Sequence, residues 1–260
     1  MVDLVYVLLS LFFGGLIGLL LGLFGGGGSM LTIPVLVYIL GQSIHSAIGT
    51  SLAIVGSSAL LGAFIHSRKG EVRLKSGVFL GLTSMLGAVP GVLLNRIVPG
   101  GTTLVLFSIL MIVIAVNILR TEIPSNQKPE NHLPCELYTS KDWLKILAIG
   151  LLVGALTGFF GVGGGFLIVP ALMLVGNFPA RQAIGTSLLV ISMTSFSGFL
   201  SNLAFGGLDP LTLLFFTFGS FVGVLSGTAL TDRITGRVFN RTFALFAIFV
   251  ALYLIYINTI

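Results

Sequence analysis

The sequence predicts an all-α integral membrane protein built from two repeats, each interrupted by a broken helix. Hydropathy, an internal duplication and a matched pair of glycine-rich interruptions carry this reading. With 55% hydrophobic and 8% charged residues and a mean hydropathy of +1.11, the 260-residue chain cannot present a water-soluble surface. Its apolar blocks are continuous over about 20 residues instead of alternating, which fits membrane helices and not a strand barrel. The run Gly25-Gly26-Gly27-Gly28-Ser29-Met30-Leu31-Thr32-Ile33-Pro34 returns 136 residues later as Gly161-Val162-Gly163-Gly164-Gly165-Phe166-Leu167-Ile168-Val169-Pro170. At that offset nine of seventeen positions from Gly18 to Pro34 are identical, and Ala47-Ile48-Gly49-Thr50-Ser51-Leu52 recurs unchanged at 183–188. No gap is needed, so the chain is an internal duplication and the two interruptions are equivalent.

The first apolar segment, Leu4 to Phe24, follows Met1-Val2-Asp3, with no Lys or Arg before it and no small-residue cleavage pattern after it. It reads as a membrane helix and not a signal peptide. At the glycines the backbone leaves the helix inside apolar sequence, which is tolerated only where protein or a polar cavity supplies partners. A short segment, Met30 to Leu40, restarts there with unpaired N–H groups at its head. Segments His45 to His66, Ser76 to Asn95 and Thr102 to Leu119 complete residues 1–120 as a first membrane repeat. Pro124, Pro129, Pro134, Asn126 and Asn131 mark 121–143 as a polar linker. The single cysteine, Cys135, lies there and can form no internal disulfide. The second repeat, 144–260, runs Leu144 to Phe160, Phe166 to Gly176, Ala183 to Leu203, Leu211 to Thr231 and Arg241 to Ile257.

Basic residues bear on orientation. If the short segments after the breaks do not cross, each half has four spans, the repeats are parallel, and Lys and Arg divide eight to five between the two sides. If they do cross, wholly or in part, each half has five segments, the repeats are inverted, and every basic residue but Arg96 falls on one side, twelve to one. The second arrangement fits the cytoplasmic excess of Lys and Arg better. It puts the linker inside and both termini outside a multi-pass protein. An eleven-residue helix covers only about half the hydrocarbon core, so it must start near mid-membrane. Inverted repeats with equivalent broken helices place substrate sites at the midplane of secondary transporters. Each half-helix offers about +0.5 charge and free N–H groups at its start, so an anion is the expected ligand.

The candidate substrate-binding residues follow from that geometry. Gly25, Gly27, Gly28, Gly161, Gly163, Gly164 and Gly165 line the breaks, although small residues also serve plain helix packing. Ser29 opens the first short helix, as an ordinary cap or as a hydroxyl presented to the ligand. Thr50, Ser51, Thr186 and Ser187 recur in both halves, yet membrane hydroxyls commonly bond to their own backbone. His66 and Asn202 occupy equivalent positions near the end of the next helix, where an interfacial polar residue is also ordinary. Asp3, Glu71, Asp209 and Asp232 all fall at segment ends or in loops, so no carboxylate relay runs through a span. A coupling proton would fall to His66 or to the anion itself; sodium held by unwound carbonyls and uncoupled passage remain open.

Paired Gly-rich breaks ending in Pro34 and Pro170, each followed by Ala-Ile-Gly-Thr-Ser-Leu, resemble the TauE/SafE sulfite exporter family, also called toluene sulfonate uptake permeases. The resemblance covers essentially the whole chain. It implies a bacterial-type plasma-membrane transporter of sulfur-containing anions such as sulfite, sulfonates or sulfoacetate. The two halves differ at Ser29 against Gly165 and at Gly26 against Val162, so an asymmetric pocket is expected. An anion channel or accessory membrane subunit is the alternative, because duplicated broken helices also build pores. An enzyme fits poorly: there is no His-Glu-x-x-His pattern, no phosphate loop and no acidic pair within spans. No cofactor or metal is expected, and basic residues confined to segment ends give no nucleic-acid surface. Expected partners are the anion, membrane lipid, a proton or sodium ion, and at most a second copy of the chain as a homodimer.

Overall fold

The computed structural model describes residues 4–120, 140–161, 168–169, 172–173, 178–204, 208–231, 244–245 and 248–256. All regular structure among them is helical. In chain order the helices are α1 (Leu4–Phe24), α2 (Ser29–Pro34) running into a π-helical turn (Val35–Ile39), α3 (Ile44–Arg68), α4 (Leu74–Ile97) and α5 (Gly100–Arg120). Then come α6 (Ser140–Phe160), α7 (Ala180–Leu203), α8 (Pro210–Leu230) and a helical stretch over 248–256. Among the described residues five helices are long and apolar enough to cross a membrane: α1, α3, α4, 181–203 within α7, and α8. Phe166 to Gly176, expected to be the second short segment, lies outside the described residues apart from four positions, and so does the linker up to 139.

Local chemistry sets the ends. Ser43 caps α3, its Oγ accepting from the Ser46 N–H at 3.3 Å. Asp209 does the same for α8, accepting from the Leu211 N–H at 3.1 Å, with Pro210 in the first turn where a missing N–H costs nothing. Pro34 closes α2 and cannot continue its i→i−4 ladder, and the chain slips into the π turn, with the Leu40 N–H reaching the Val35 carbonyl at 3.1 Å.

Helix starts repeat at the duplication offset: Ile44 and Ala180, Leu74 and Pro210. Packing repeats too. α1 lies along α8, and α4 along α6, in pairs equivalent by that offset. Gly14, Gly18 and Gly22 of α1 lie against the backbones of Phe216, Ser220 and Val224, so these helices rise together, with no room for a methyl group at Gly18. Gly154 and Gly158 meet the backbones of Ser84 and Ala88 in the same way, and Gly150 meets the Thr83 side chain. In lipid no hydrophobic force draws helices together, and such small-residue faces let backbones approach. α3 crosses α7 at the centre, and here numbering runs in opposite senses: Gly49 meets Asn202, Gly56 meets Ser195, Gly62 meets Leu188, and Gly185 meets His66. The equivalent helices α3 and α7 are therefore antiparallel.

α2 doubles back. Gly28 packs on Ile17 to Leu21, in the upper half of α1. Gln42, beyond the π turn, donates to Thr212 Oγ1 at 3.1 Å, and that hydroxyl also contacts Tyr6 in the first turn of α1. The eleven residues of α2 and the π turn span about 16 Å, roughly half a hydrocarbon core. α1 and α3 thus run the same way, with the short helix reversed between them.

Candidate functional site

α1 stops at Phe24 because the next two residues take left-handed backbone, Gly25 at φ 60° and Gly26 at φ 139°. Gly161 ends α6 the same way, at φ 66°. Only glycine adopts these angles without strain. Space excludes a side chain as well. A Cβ on Gly25 would lie 2.8 Å from Ile184 Cα, and one on Gly161 would lie 2.9 Å from Ile48 Cα, Ile48 and Ile184 being equivalent residues.

The recurring serines fasten these bends across the halves. Ser187 Oγ donates to the Gly25 carbonyl at 2.5 Å, and Ser51 Oγ to the Gly161 carbonyl at 2.7 Å. Both serines are fully buried. Each half therefore satisfies the carbonyl that the other half's helix leaves open. Since Leu188 meets Gly62, the level of Ser187 falls about eleven residues beyond Ser51 along α3, roughly 16 Å. The bends flank the middle of the α3–α7 pair. From the first bend the chain returns toward the middle by Gly28, which packs on Ile17 to Leu21; Ser220, beside Gly18, is bonded to Ser58 of α3 at 2.8 Å.

At the head of α2 the N–H groups of Ser29, Met30 and Leu31 reach the carbonyls of Gly26, Gly27 and Gly28 at 3.2, 3.4 and 3.1 Å. Ser29 Oγ also turns back, to the Gly26 carbonyl at 2.6 Å. The N–H groups of Gly26, Gly27 and Gly28 have no acceptor among the described residues, although all three glycines are buried. Two hydroxyls on the adjoining helices share that condition: Thr32 Oγ1 on α2 and Thr50 Oγ1 on α3 are buried without partners. Buried polar groups without partners are uncommon and call for a ligand, a water or a function. Thr32 escapes the sequence reading because its equivalent is the apolar Ile168, so a search by recurrence passes over it.

The other candidates lie elsewhere. Thr186 Oγ1 accepts from the Arg73 N–H at 3.1 Å, tying α7 to the α3–α4 turn. His66 Nδ1 is 2.6 Å from Glu71 Oε2. Asn202 Oδ1 accepts from Arg96 Nη2 at 2.8 Å. Glu71 becomes visible as a partner once the turn after α3 forms, and Arg96 only once α4 and α7 are packed. Gly163, Gly164 and Gly165 lie outside the described residues. At the foot of α8, partial burial pushes the Asp209 carboxyl up, but hydrogen bonds from Thr212, Tyr6 and the Leu211 and Thr212 N–H groups outweigh it and hold it below the usual carboxylate range. Among the described residues no three His, Cys, Asp or Glu side chains stand together as a metal site would require.

The chain matches the family model described as sulfite exporter TauE/SafE over residues 10–254. It is 36% identical over 246 residues to a probable membrane transporter protein of Xylella fastidiosa (strain 9a5c), covering 94% of this chain and 92% of that one. It is 30% identical over 223 residues to the probable membrane transporter protein YdhB of Bacillus subtilis (strain 168), with 84% and 87% covered. The probable membrane transporter protein MJ0441 of Methanocaldococcus jannaschii is 28% identical over 197 residues, with 73% and 70% covered. No solved structure matches the chain.

Proposed function

The chain belongs to the sulfite exporter TauE/SafE family of membrane transporters, and on that footing we propose that it carries small sulfur-containing anions of the sulfite, sulfonate or sulfoacetate type. The anion binds between the heads of the two short helices near the bilayer midplane, and the halves rock about it to give alternating access. The carrying observation is the first break, where three buried N–H groups without acceptors among the described residues stand at the head of α2. Oriented amides of this kind favour an oxyanion. The hydroxyl of Thr32 on α2 extends the donor set there, and that of Thr50 stands beside Ser51, which bonds to the second break. A membrane-buried amide without a partner costs several kcal/mol, about what a bound anion or water would recover.

We read the halves as inverted, with five segments each. Support comes from the antiparallel run of the equivalent helices α3 and α7 and from the reversal of α2. The twelve-to-one division of Lys and Arg then puts the linker in the cytoplasm of a plasma-membrane protein.

Counterflow in proteoliposomes tests the function. Vesicles preloaded with unlabelled sulfite should accumulate external labelled sulfite transiently against its own gradient, with taurine, sulfoacetate, thiosulfate and sulfate as competitors. A channel would equilibrate the label without overshoot, and an inert accessory subunit would move none.

A further inference from the structure

The two ends of the α3–α7 pair are closed by different chemistry. α3 ends in a Schellman turn: the Glu71 N–H donates to the His66 carbonyl at 3.0 Å and the Gly70 N–H to that of Ser67 at 3.1 Å, with Gly70 at φ 72°. That turn folds Glu71 back over His66, leaving Oε2 2.6 Å from Nδ1, with His66 0% and Glu71 15% exposed. An ionised carboxylate only accepts, so the hydrogen between the two sits on Nδ1, and Nε2 is the ring's one further site for a proton. Nε2 is buried and has no partner among the described residues. One proton added there yields an imidazolium paired with the Glu71 carboxylate and changes no other bond.

Position links this pair to the break. His66 Cβ and the Glu71 carbonyl press on Gly185, next in sequence to Ile184, whose Cα faces Gly25. The charged groups around it come from each neighbouring element. Arg181 Nη1 of α7 lies 3.9 Å from Glu71 Oε1 and is largely exposed. Lys69 Nζ donates to the Thr228 carbonyl of α8 at 3.1 Å, and Arg68 lies over the Phe64 ring at 5.0 Å. Arg73 Nε donates to Gln182 Oε1 at 2.7 Å, and its guanidinium lies 4.5 Å from the Phe178 ring centroid. At the opposite end, Asn202 stands at the position equivalent to His66 and packs on Gly49, the counterpart of Gly185. Its partner there is Arg96; His45, in the first turn of α3, stands at this end too, but its Nδ1 lies 3.0 Å from Asn95 Oδ1, an amide and not a carboxylate. An amide and a guanidinium do not change charge in the physiological range, whereas histidine does.

We propose that the His66–Glu71 pair is the seat of a coupling proton, present at one end of the transporter only. This rests on the transporter reading above and names its coupling ion. Protonation removes one negative charge beside the first break, so anion and proton are favoured together, and symport follows. The asymmetry adds a proton site to halves that already differ at Ser29 against Gly165 and Thr32 against Ile168.

His66→Asn, which copies the residue of the other half, and Glu71→Gln test the pair in two arms. In pyranine-loaded proteoliposomes, inward sulfite movement through the wild type should acidify the lumen and an imposed pH gradient should drive accumulation. His66→Asn should lose both while retaining sulfite counterflow; accumulation and acidification at wild-type level in that variant would overturn the proposal. The second arm needs no substrate. Hydrogen–deuterium exchange of the 21–31 peptide in detergent, corrected for intrinsic rates, should change between about pH 5 and pH 8 in the wild type and be flat in both variants. The same change in wild type and His66→Asn, or none in the wild type, would overturn it. Sulfite failing to move through the wild type would count against the substrate reading alone, and the exchange arm would still decide the proton site.

Discussion

Ser51 and Ser187 illustrate how a residue can belong to a site without touching its ligand. The Ser51 hydroxyl is committed to the Gly161 carbonyl, and that of Ser187 to the Gly25 carbonyl with the Ile184 carbonyl as second acceptor, whereas Thr32 and the amides of the first break have no partner among the described residues. Replacing either serine by alanine leaves a buried carbonyl without its donor, at a cost of about 1–3 kcal/mol. Ser51→Ala and Ser187→Ala should each lower the Tm in detergent by several degrees, and the double variant by nearly the sum, since sites well separated add. An unchanged Tm in both single variants would remove the cross-half latch. None of this was legible in the sequence: Ser51 and its partner are 110 residues apart, Ser187 and its partner 162. Recurrence marked the serines as special without saying what they bond to. Thr32 was invisible for the opposite reason, because recurrence was the signal sought and Ile168 broke it.

Among elements, the long helices were the most readable. Hydropathy alone ends α1 at Phe24, the residue at which the helix stops, because a membrane helix is defined by the same apolar length that the bilayer demands. What hydropathy does not give is the neighbour, since outward and inward faces are both apolar; the glycine faces carry that information. Gly14, Gly18 and Gly22 recur every fourth residue along α1 and meet the backbone of α8. Gly18→Leu would force the pair apart, an overpacking cost of about 1–3 kcal/mol or more, and should deplete the monodisperse peak in size-exclusion chromatography. Gly101→Leu on α5, where a Cβ would meet nothing within 4 Å, is the matched control and should behave as wild type. Equal loss in both would mean that the glycine faces do not govern assembly. α2 was legible as a short helix restarting after the break, but its π turn was not, because Pro34 reads from sequence as an end rather than a slip in the ladder.

For the whole molecule, the equivalence of the halves was readable from the duplication, whereas their relative sense rested on counting charges. The antiparallel crossing of α3 and α7 now adds an independent reason to read them as inverted. Topology follows: a cysteine introduced at Asn258 should react with an impermeant thiol reagent added to intact cells, and native Cys135 in the linker should not. Labelling of Cys135 with Asn258→Cys silent would reverse the orientation, and labelling of neither or both would favour parallel repeats with four spans each.

Whatever the substrate, the account requires that the anion come within bonding distance of the backbone at the first break. Gly28 sits there against Ile17 and Leu21, with no space for a side chain. That contact is with the backbone of α1, so the probe is Thr32→Val on the next turn of α2, which removes a buried hydroxyl without a partner among the described residues and keeps the side chain's shape. Sulfite counterflow through it, compared with wild type at equal amounts of correctly inserted protein, is the most direct measurement. The account predicts that the overshoot disappears while insertion and monodispersity persist; an overshoot of wild-type height and rate would contradict it.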